Sequence, residues 1–425
     1  MRMSRSLCAM SGVLVLIGLA ASAPAAEPLD HASADLDAGY YQIGPQRALH
    51  FWREGEHFYF GEIGTAQHAE AIPLGPDRFS YANGMVTFSF NTGADGRISG
   101  MTIHQGGRDI EASQIDETLA KSFPSPGAAM AAKPPIPRTW PTMTGVSPSP
   151  ITAPTPGTLD YWPCFSPDGS TVLFSRSLDG GRSWALYRAP SRGGAAVPFA
   201  KLAVSATRAS WSARTGRIAF NGDSPDGKSG GIWVMEGDGT HAHAVATEGV
   251  PAPSYPSWYP DGRTLGFGDA SRNILYRMPI KGGPPVPVTH QEQVLAGMAS
   301  VSPDGKWIAF AGQRNSGQLY DQNANQLWRV DRNGISSPIE AKPLPGRTPS
   351  WSPNGKRLAF ESNRGSPSGL YALFVVDLDG GNLIQVTNYA LNANHPVFSP
   401  DGHRLVFAMG DPAKGAVNIA IVALP

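Results

Sequence analysis

Six segments of the chain repeat one pattern, and that repetition limits the possible folds more than any other feature. They read FSPDGSTVLF from Phe165, WSARTGRIAF from Trp211, WYPDGRTLGF from Trp258, VSPDGKWIAF from Val301, WSPNGKRLAF from Trp351 and FSPDGHRLVF from Phe398. Their starts lie 46, 47, 43, 50 and 47 residues apart. A phenylalanine stands nine positions after every start: Phe174, Phe220, Phe267, Phe310, Phe360 and Phe407. Ser, Pro, Asp and Gly suit successive positions of a type I turn. Proline presets φ, aspartate bonds its local backbone and glycine accepts positive φ, so the chain reverses between two strands. The second segment lacks the proline and aspartate and carries Gly216 one place later, which predicts a longer hairpin loop there.

A third strand follows in each unit (ALYRA, GIWVME, ILYRMP, QLWRVD, LFVVD, NIAIV). A Gly-rich turn such as Asp377–Gly381 comes next, then a fourth strand such as LIQVT. Four strands in about 45 residues is the arithmetic of a propeller blade. The expected class is therefore all-β, with a six-bladed β-propeller. The last unit reaches only its third strand, so residues 147–156 are expected to supply the missing outer strand and close the ring. That stretch is Pro-rich, which an edge strand tolerates. Abundant Gly (49) and Pro (39), with only 16% charged residues, fit many short strands and turns.

The Ser-Pro-Asp-Gly repeats over residues 147–425 resemble those of the TolB-like propeller family, which also occur in the propellers of prolyl-oligopeptidase-type peptidases. The resemblance implies a funnel-shaped disc that binds proteins or peptides on one face. TolB itself carries an α/β domain ahead of its propeller, and this chain does not.

Residues 38–112 alternate apolar and polar positions between turn signals. HFYFGEI, MVTFSFN and ISGMTIHQ read as strands, and GPDR, NTGADG and QGG as turns. A small antiparallel barrel or meander is expected, followed by a short helix over 113–122. The run from Arg78 to Ala112 resembles the small barrel appended to some serine β-lactamase-like hydrolases, where it is an accessory, so no catalysis carries over. The expected division is a signal peptide over 1–25, a barrel over 26–122, a Pro/Ala-rich linker over 123–146 and the propeller over 147–425.

The leader is read from Arg2 and Arg5, an apolar run from Val13 to Leu19, and small residues at Ala23 and Ala25. Cys8 precedes the apolar run, so a lipid anchor at the cleavage site is not expected. Removal of the leader leaves Cys164 alone, without a disulfide partner. The apolar run is too short to span a bilayer, and no later run reaches spanning length. The expected place is the periplasm or the outside of the cell. Formal net charge is zero, so no basic field draws nucleic acid or anionic lipid.

Several motifs carry less than their spelling suggests. Gly222–Ser229 matches a phosphate-loop pattern and Gly227–Gly231 a nucleophile elbow, but both need a following helix. GIWVME follows instead and reads as a strand. Ser177–Trp184 resembles the Asp-box hairpin of sialidases, here occurring once and read as a turn. The turn aspartates Asp168, Asp261, Asp304, Asp377, Asp379 and Asp401 could suggest calcium, but six to eight oxygens are needed and turn chemistry explains them. No cofactor or metal is expected. The ten histidines lack zinc spacing; His241 and His243 sit in a polar loop. Cys164 falls in a predicted inner strand and is expected to be buried and inert.

No catalytic constellation is recognisable. Binding is expected on the upper face, where blade-to-blade segments carry Asp160, Tyr161, Arg208, Tyr255, Arg347, Asn394 and His395. Longer loops there add Arg314, Tyr320, Asp321 and Arg364. Tyrosine and arginine are favoured anchors because they bury area while keeping hydrogen bonds. The expected function is a non-catalytic binding or scaffolding module for an envelope protein, peptide or polysaccharide. The alternative is an enzyme or enzyme accessory, peptidase-associated or a polysaccharide hydrolase or lyase, that works through the propeller channel.

Overall fold

The structure is a computed structural model. It describes residues 28–424 apart from 45–46, 64–67, 82–85, 94, 106–107, 124–140, 144–146, 154, 182, 224–229, 316–324, 340–344, 367–368 and 412–413. The leader, most of the linker, Tyr320 and Asp321 lie outside the described residues.

A seven-residue helix, α1 (His31–Asp37), opens the described chain, capped by the Asp30 carboxylate. Nine strands follow: β1 (Gly39–Gly44), β2 (Arg47–Glu54), β3 (His57–Glu62), β4 (Ala69–Glu70), β5 (Ile72–Gly75), β6 (Arg78–Tyr81), β7 (Val86–Thr92), β8 (Ile98–Gln105) and β9 (Arg108–Ile115). They form one sheet in the order β4-β3-β2-β1-β9-β8-β7-β6-β5. Its two edge strands, β4 and β5, are neighbours in the chain with only Ala71 between them. A flat sheet cannot have adjacent residues at opposite edges, so this one curls into a nearly closed barrel. Tyr41, Phe51, Phe58, Phe60, Phe79, Phe88 and Phe90 fill it. Phe51 meets Phe88 and Phe90 edge-on at 5.2 Å, the arrangement aromatic quadrupoles favour. The helix expected over 113–122 is shorter: β9 runs to Ile115, and α2 (Glu117–Ser122) starts after the Asp116 cap.

The repeats build a ring of sheets. Repeats two to five each form a separate four-stranded antiparallel sheet, such as Ser205–Trp211, Ile218–Asp223, Gly230–Met235 and His243–Val245. The first and sixth repeats share one eight-stranded sheet. The count of separate four-stranded sheets is thus four, not the six blades expected. The cause is a weld between the first inner strand, Leu159–Phe165, and the last strand, Ala416–Ala423. Leu159 pairs with Val417 in parallel, and Val417 N–H donates to Thr158 O at 3.0 Å. A two-residue strand, Ser149–Pro150, adds to the same edge of that last strand, opposite the edge paired with Arg404–Asp411 and within the stretch expected to close the ring. Thr152 reinforces it, accepting the Ile419 N–H on its hydroxyl at 2.9 Å.

The turns behave as their composition demands. Ser166 accepts the Gly169 N–H, Gly169 sits at φ 70°, and Asp168 accepts both the Ser166 hydroxyl and the Ser170 N–H. Those hydrogen bonds pull the Asp168 carboxyl down to about 2. The second repeat does not have the longer loop predicted. Trp211 pairs with Ile218 just as Phe165 pairs with Val172, over the same span. Only the internal turn widens, with the Gly216 N–H reaching back to Ser212 O. All six signature phenylalanines are fully buried.

Candidate functional site

Each inner strand breaks its ladder once, at the same place. In the first repeat the pairing skips from Tyr161 to Cys164, so Trp162 and Pro163 together oppose the single residue Phe174. Equivalent bulges fall in every other repeat, each opposite its signature phenylalanine. The first bulged residue is in turn Trp162, Arg208, Tyr255, Met298, Thr348 and His395. All six have φ between 50° and 56°, the left-handed region that glycine normally fills. Such a conformation costs a non-glycine residue about 1 to 3 kcal/mol and persists only where the surroundings enforce it. A bulge also re-aims its side chain. Here all six residues line one central cavity of about 720 Å³.

From that ring the cavity wall follows the inner strands down to the turn prolines Pro167, Pro260, Pro303, Pro353 and Pro400. Its lining is rich in proline, aromatic residues and serine, with no Asp, Glu or Lys among the described residues. Two arginines contribute, Arg208 at the bulge ring and Arg214 in the second turn. The Arg208 guanidinium is clasped between two rings, 4.4 Å from the Trp162 centroid and 4.6 Å from Tyr255. Its Nη1 donates to Thr207 Oγ1 at 3.2 Å. Among the described residues its Nε and Trp162 Nε1 are buried without a partner.

Neighbouring repeats hold the bulges in place through the residue after the signature phenylalanine. Asn221 Oδ1 accepts the Tyr255 N–H at 3.1 Å, and Glu361 Oε2 accepts the His395 N–H at 2.5 Å. Burial, with help from Arg347 and Arg208, pushes the His395 imidazole down to about 4 against the pull of Glu361. It is neutral at physiological pH. Burial likewise lifts the Asp223 carboxyl to about 6, with Arg208 opposing the rise.

The sequence candidates divide accordingly. Arg208, Tyr255 and His395 come together in the cavity. Asp160 and Arg347 sit beside it but are engaged internally. Asp160 binds Arg176 through two 2.7 Å contacts and accepts the Thr152 hydroxyl. Arg347 pairs with buried Glu361 at 2.5 Å and lies over the Tyr371 ring. Tyr161 packs edge-on against Trp184 and His395, and Asn394 donates to Asn392 O. Arg314 is exposed over the Trp328 ring, and Arg364 accepts the Tyr389 hydroxyl on its carbonyl. Trp162, Met298 and Thr348 escaped the sequence reading. Their signal is positional: each lies three residues before a repeat start and is followed by proline or alanine.

The described parts of the phosphate-loop-like and Asp-box-like stretches fall in a hairpin and a turn. Gly222 and Asp223 end one strand and Gly230 begins its hairpin partner, with 224–229 outside the described residues. Asp179 accepts the Ser177 and Ser183 hydroxyls within its own turn. Burial pushes the Cys164 thiol up to about 12, so it stays protonated. Among the described residues no helix is long and apolar enough to cross a membrane, and no three His, Cys, Asp or Glu are grouped to hold a metal.

No family model matches the chain. It is 29% identical over 191 residues to an uncharacterized peptidase, YuxL, of Bacillus subtilis, covering 43% of this chain and 25% of that protein. It is 34% identical over 80 residues to the Tol-Pal system protein TolB of Francisella tularensis, covering 19% of this chain and 18% of TolB. The chain thus spans only about a quarter or less of each of these relatives. A solved structure of a putative TolB from Agrobacterium tumefaciens aligns with a TM-score of 0.47 and 22% identity, over 63% of this chain and 91% of that one. The similarity to TolB in sequence, with the ring of sheets built on Ser-Pro-Asp-Gly turns, supports a TolB-like β-propeller.

Proposed function

We propose that this chain is an exported, periplasmic propeller of six four-stranded units that acts as a non-catalytic binding module. It takes part of an envelope protein, peptide or polymer into its central channel. Residues 26–122 form the barrel, 123–146 the linker and 147–425 the propeller, with the leader over 1–25 removed. The observation that carries this reading is the bulge ring. Six different side chains occupy one repeat position, each on costly backbone, and all meet in one cavity. Strain maintained at every repeat supports a functional rather than a packing demand. Among the described residues the lining also lacks the paired carboxylates of glycoside hydrolysis, and its one histidine is neutral. The reading needs no cofactor. The barrel, with Arg314, Tyr320, Asp321 and Arg364 on the upper loops, extends the contact.

A second reading, an accessory that filters substrates for a separate peptidase, is favoured by the 191-residue similarity to a peptidase-named protein. One experiment separates the two. Immobilised chain from residue 26 is exposed to envelope extract beside a Met298→Trp variant whose channel is plugged. Partners retained by the wild type and released by the variant support channel binding. Equal retention moves the contact outside the channel. Retention of a peptidase whose cleavage preference changes with the plug supports the filter.

A further inference from the structure

The cavity contains a cation without a counter-ion. Arg208 is 8% exposed, yet among the described residues it forms no ion pair and makes one side-chain hydrogen bond, to the neutral hydroxyl of Thr207. A desolvated charge is normally paired, because an unpaired one loses its hydration without recompense. Two aromatic faces at 4.4 and 4.6 Å stabilise the guanidinium in part and fix its plane. They cannot satisfy its N–H groups, and Nε remains without an acceptor. The acid that Arg208 influences, Asp223, lies beyond ion-pair distance and has its own Oδ1 unpartnered. Beside Arg208 stands a second orphan donor, Trp162 Nε1. The unmet groups on the residues that line this end of the channel, Arg208 Nε and Trp162 Nε1, are donors around a fixed positive charge, and no carboxylate is among the lining residues.

We propose that Arg208, held between Trp162 and Tyr255, is a carboxylate clamp for a peptide that enters the channel. This rests on the channel-binding reading and gives it a chemical class. Guanidinium recognises a carboxylate through parallel hydrogen bonds, and a pre-stacked guanidinium has little orientation left to lose on binding. A peptide fits the wall better than a sugar chain. Proline, tryptophan and Met298 offer apolar contact, whereas the many hydroxyls of a glycan would find no carboxylate or amide side chain among the lining residues to accept them. The carboxylate comes either from a peptide C-terminus or from an Asp or Glu side chain.

The test uses random heptapeptides on the full chain in three versions: free C-terminal acid, C-terminal amide without Asp or Glu, and C-terminal amide with one Asp or Glu. The expected result is retention of an acid-bearing version at least about tenfold above the neutral amide, weakened by salt. Which acid version wins identifies the source. Arg208→Met, which keeps length but not charge, should abolish the preference, while Arg192→Gln, at an exposed arginine outside the cavity, should not change it. Asp223→Asn, which removes the nearby acid, should strengthen acid binding several-fold, a gain that misfolding cannot imitate. Peptides retained without acid preference, or a preference surviving Arg208→Met, would overturn the clamp alone. No peptide retained by the wild type would overturn both the clamp and peptide binding in the channel.

Discussion

The two ends of the inner strands use one backbone conformation for opposite purposes. At the turn end, positive φ belongs to glycine: Gly169, Gly262, Gly305, Gly355 and Gly402, with φ between 65° and 76°. At the bulge end, the same region of conformational space holds tryptophan, arginine, tyrosine, methionine, threonine and histidine. Glycine adopts it without steric penalty, and the others do not. Uniform residues mark the end that only has to turn. Varied residues mark the end where each side chain reaches the channel. The two ends also differ in satisfaction: the turns use up their own polar groups, while the bulge ring leaves donors unmet.

The largest expected effect tests what holds the bulges. Phe310 lies opposite the Met298 bulge and is fully buried. Phe310→Ala should cost about 4 kcal/mol in chemical denaturation; a loss below about 1 kcal/mol would mean that the phenylalanines do not support the ring. Next comes acid. His395 titrates near 4 in the folded chain and at about 6.5 when unfolded. Its contribution is complete above the unfolded value and is lost as pH falls through the folded one. Unfolding followed from pH 7 to 4 should show a decline of roughly 3 kcal/mol that His395→Gln removes. An unchanged slope in the variant would place the titration elsewhere. The smallest effects contrast the two ends directly. At Gly305, φ is 66° and an added Cβ would stand 2.9 Å from the Pro260 ring, so Gly305→Ala should destabilise by about 2 kcal/mol. Thr348→Gly should instead leave stability unchanged or raise it by up to about 1 kcal/mol while weakening ligand retention. Similar losses at both positions would erase the distinction between them.

The ring was legible because its turns and phenylalanines keep their identity at each period. The bulge residues were hidden for the converse reason: a position that changes from Trp162 to Arg208 to Met298 does not register as a repeat. Arg208, Tyr255 and His395 were selected as rim anchors by residue type, whereas their placement comes from a backbone irregularity. Residue type also selected Asp160 and Arg347, whose bonds run to Arg176 and Glu361 across strand pairs that only register reveals. The shared eight-stranded sheet depends on one parallel bridge between Leu159 and Val417, and no local pattern announces such a contact. In the barrel, alternation identified strands, but closure follows from the pairing order, which the alternation does not contain.

The seam at Thr152 has a consequence for how the molecule assembles. Its hydroxyl receives Ile419 from 267 residues away, whereas each four-stranded unit pairs residues within one repeat. Short loops close before long ones, because loop entropy must be met before a distant contact gives anything back. Each sheet can therefore fold soon after its own repeat is available, while the ring stays an open arc until the last strand arrives. The two-residue strand Ser149–Pro150 must wait through that whole interval with its partner missing. Closure is therefore the step expected last.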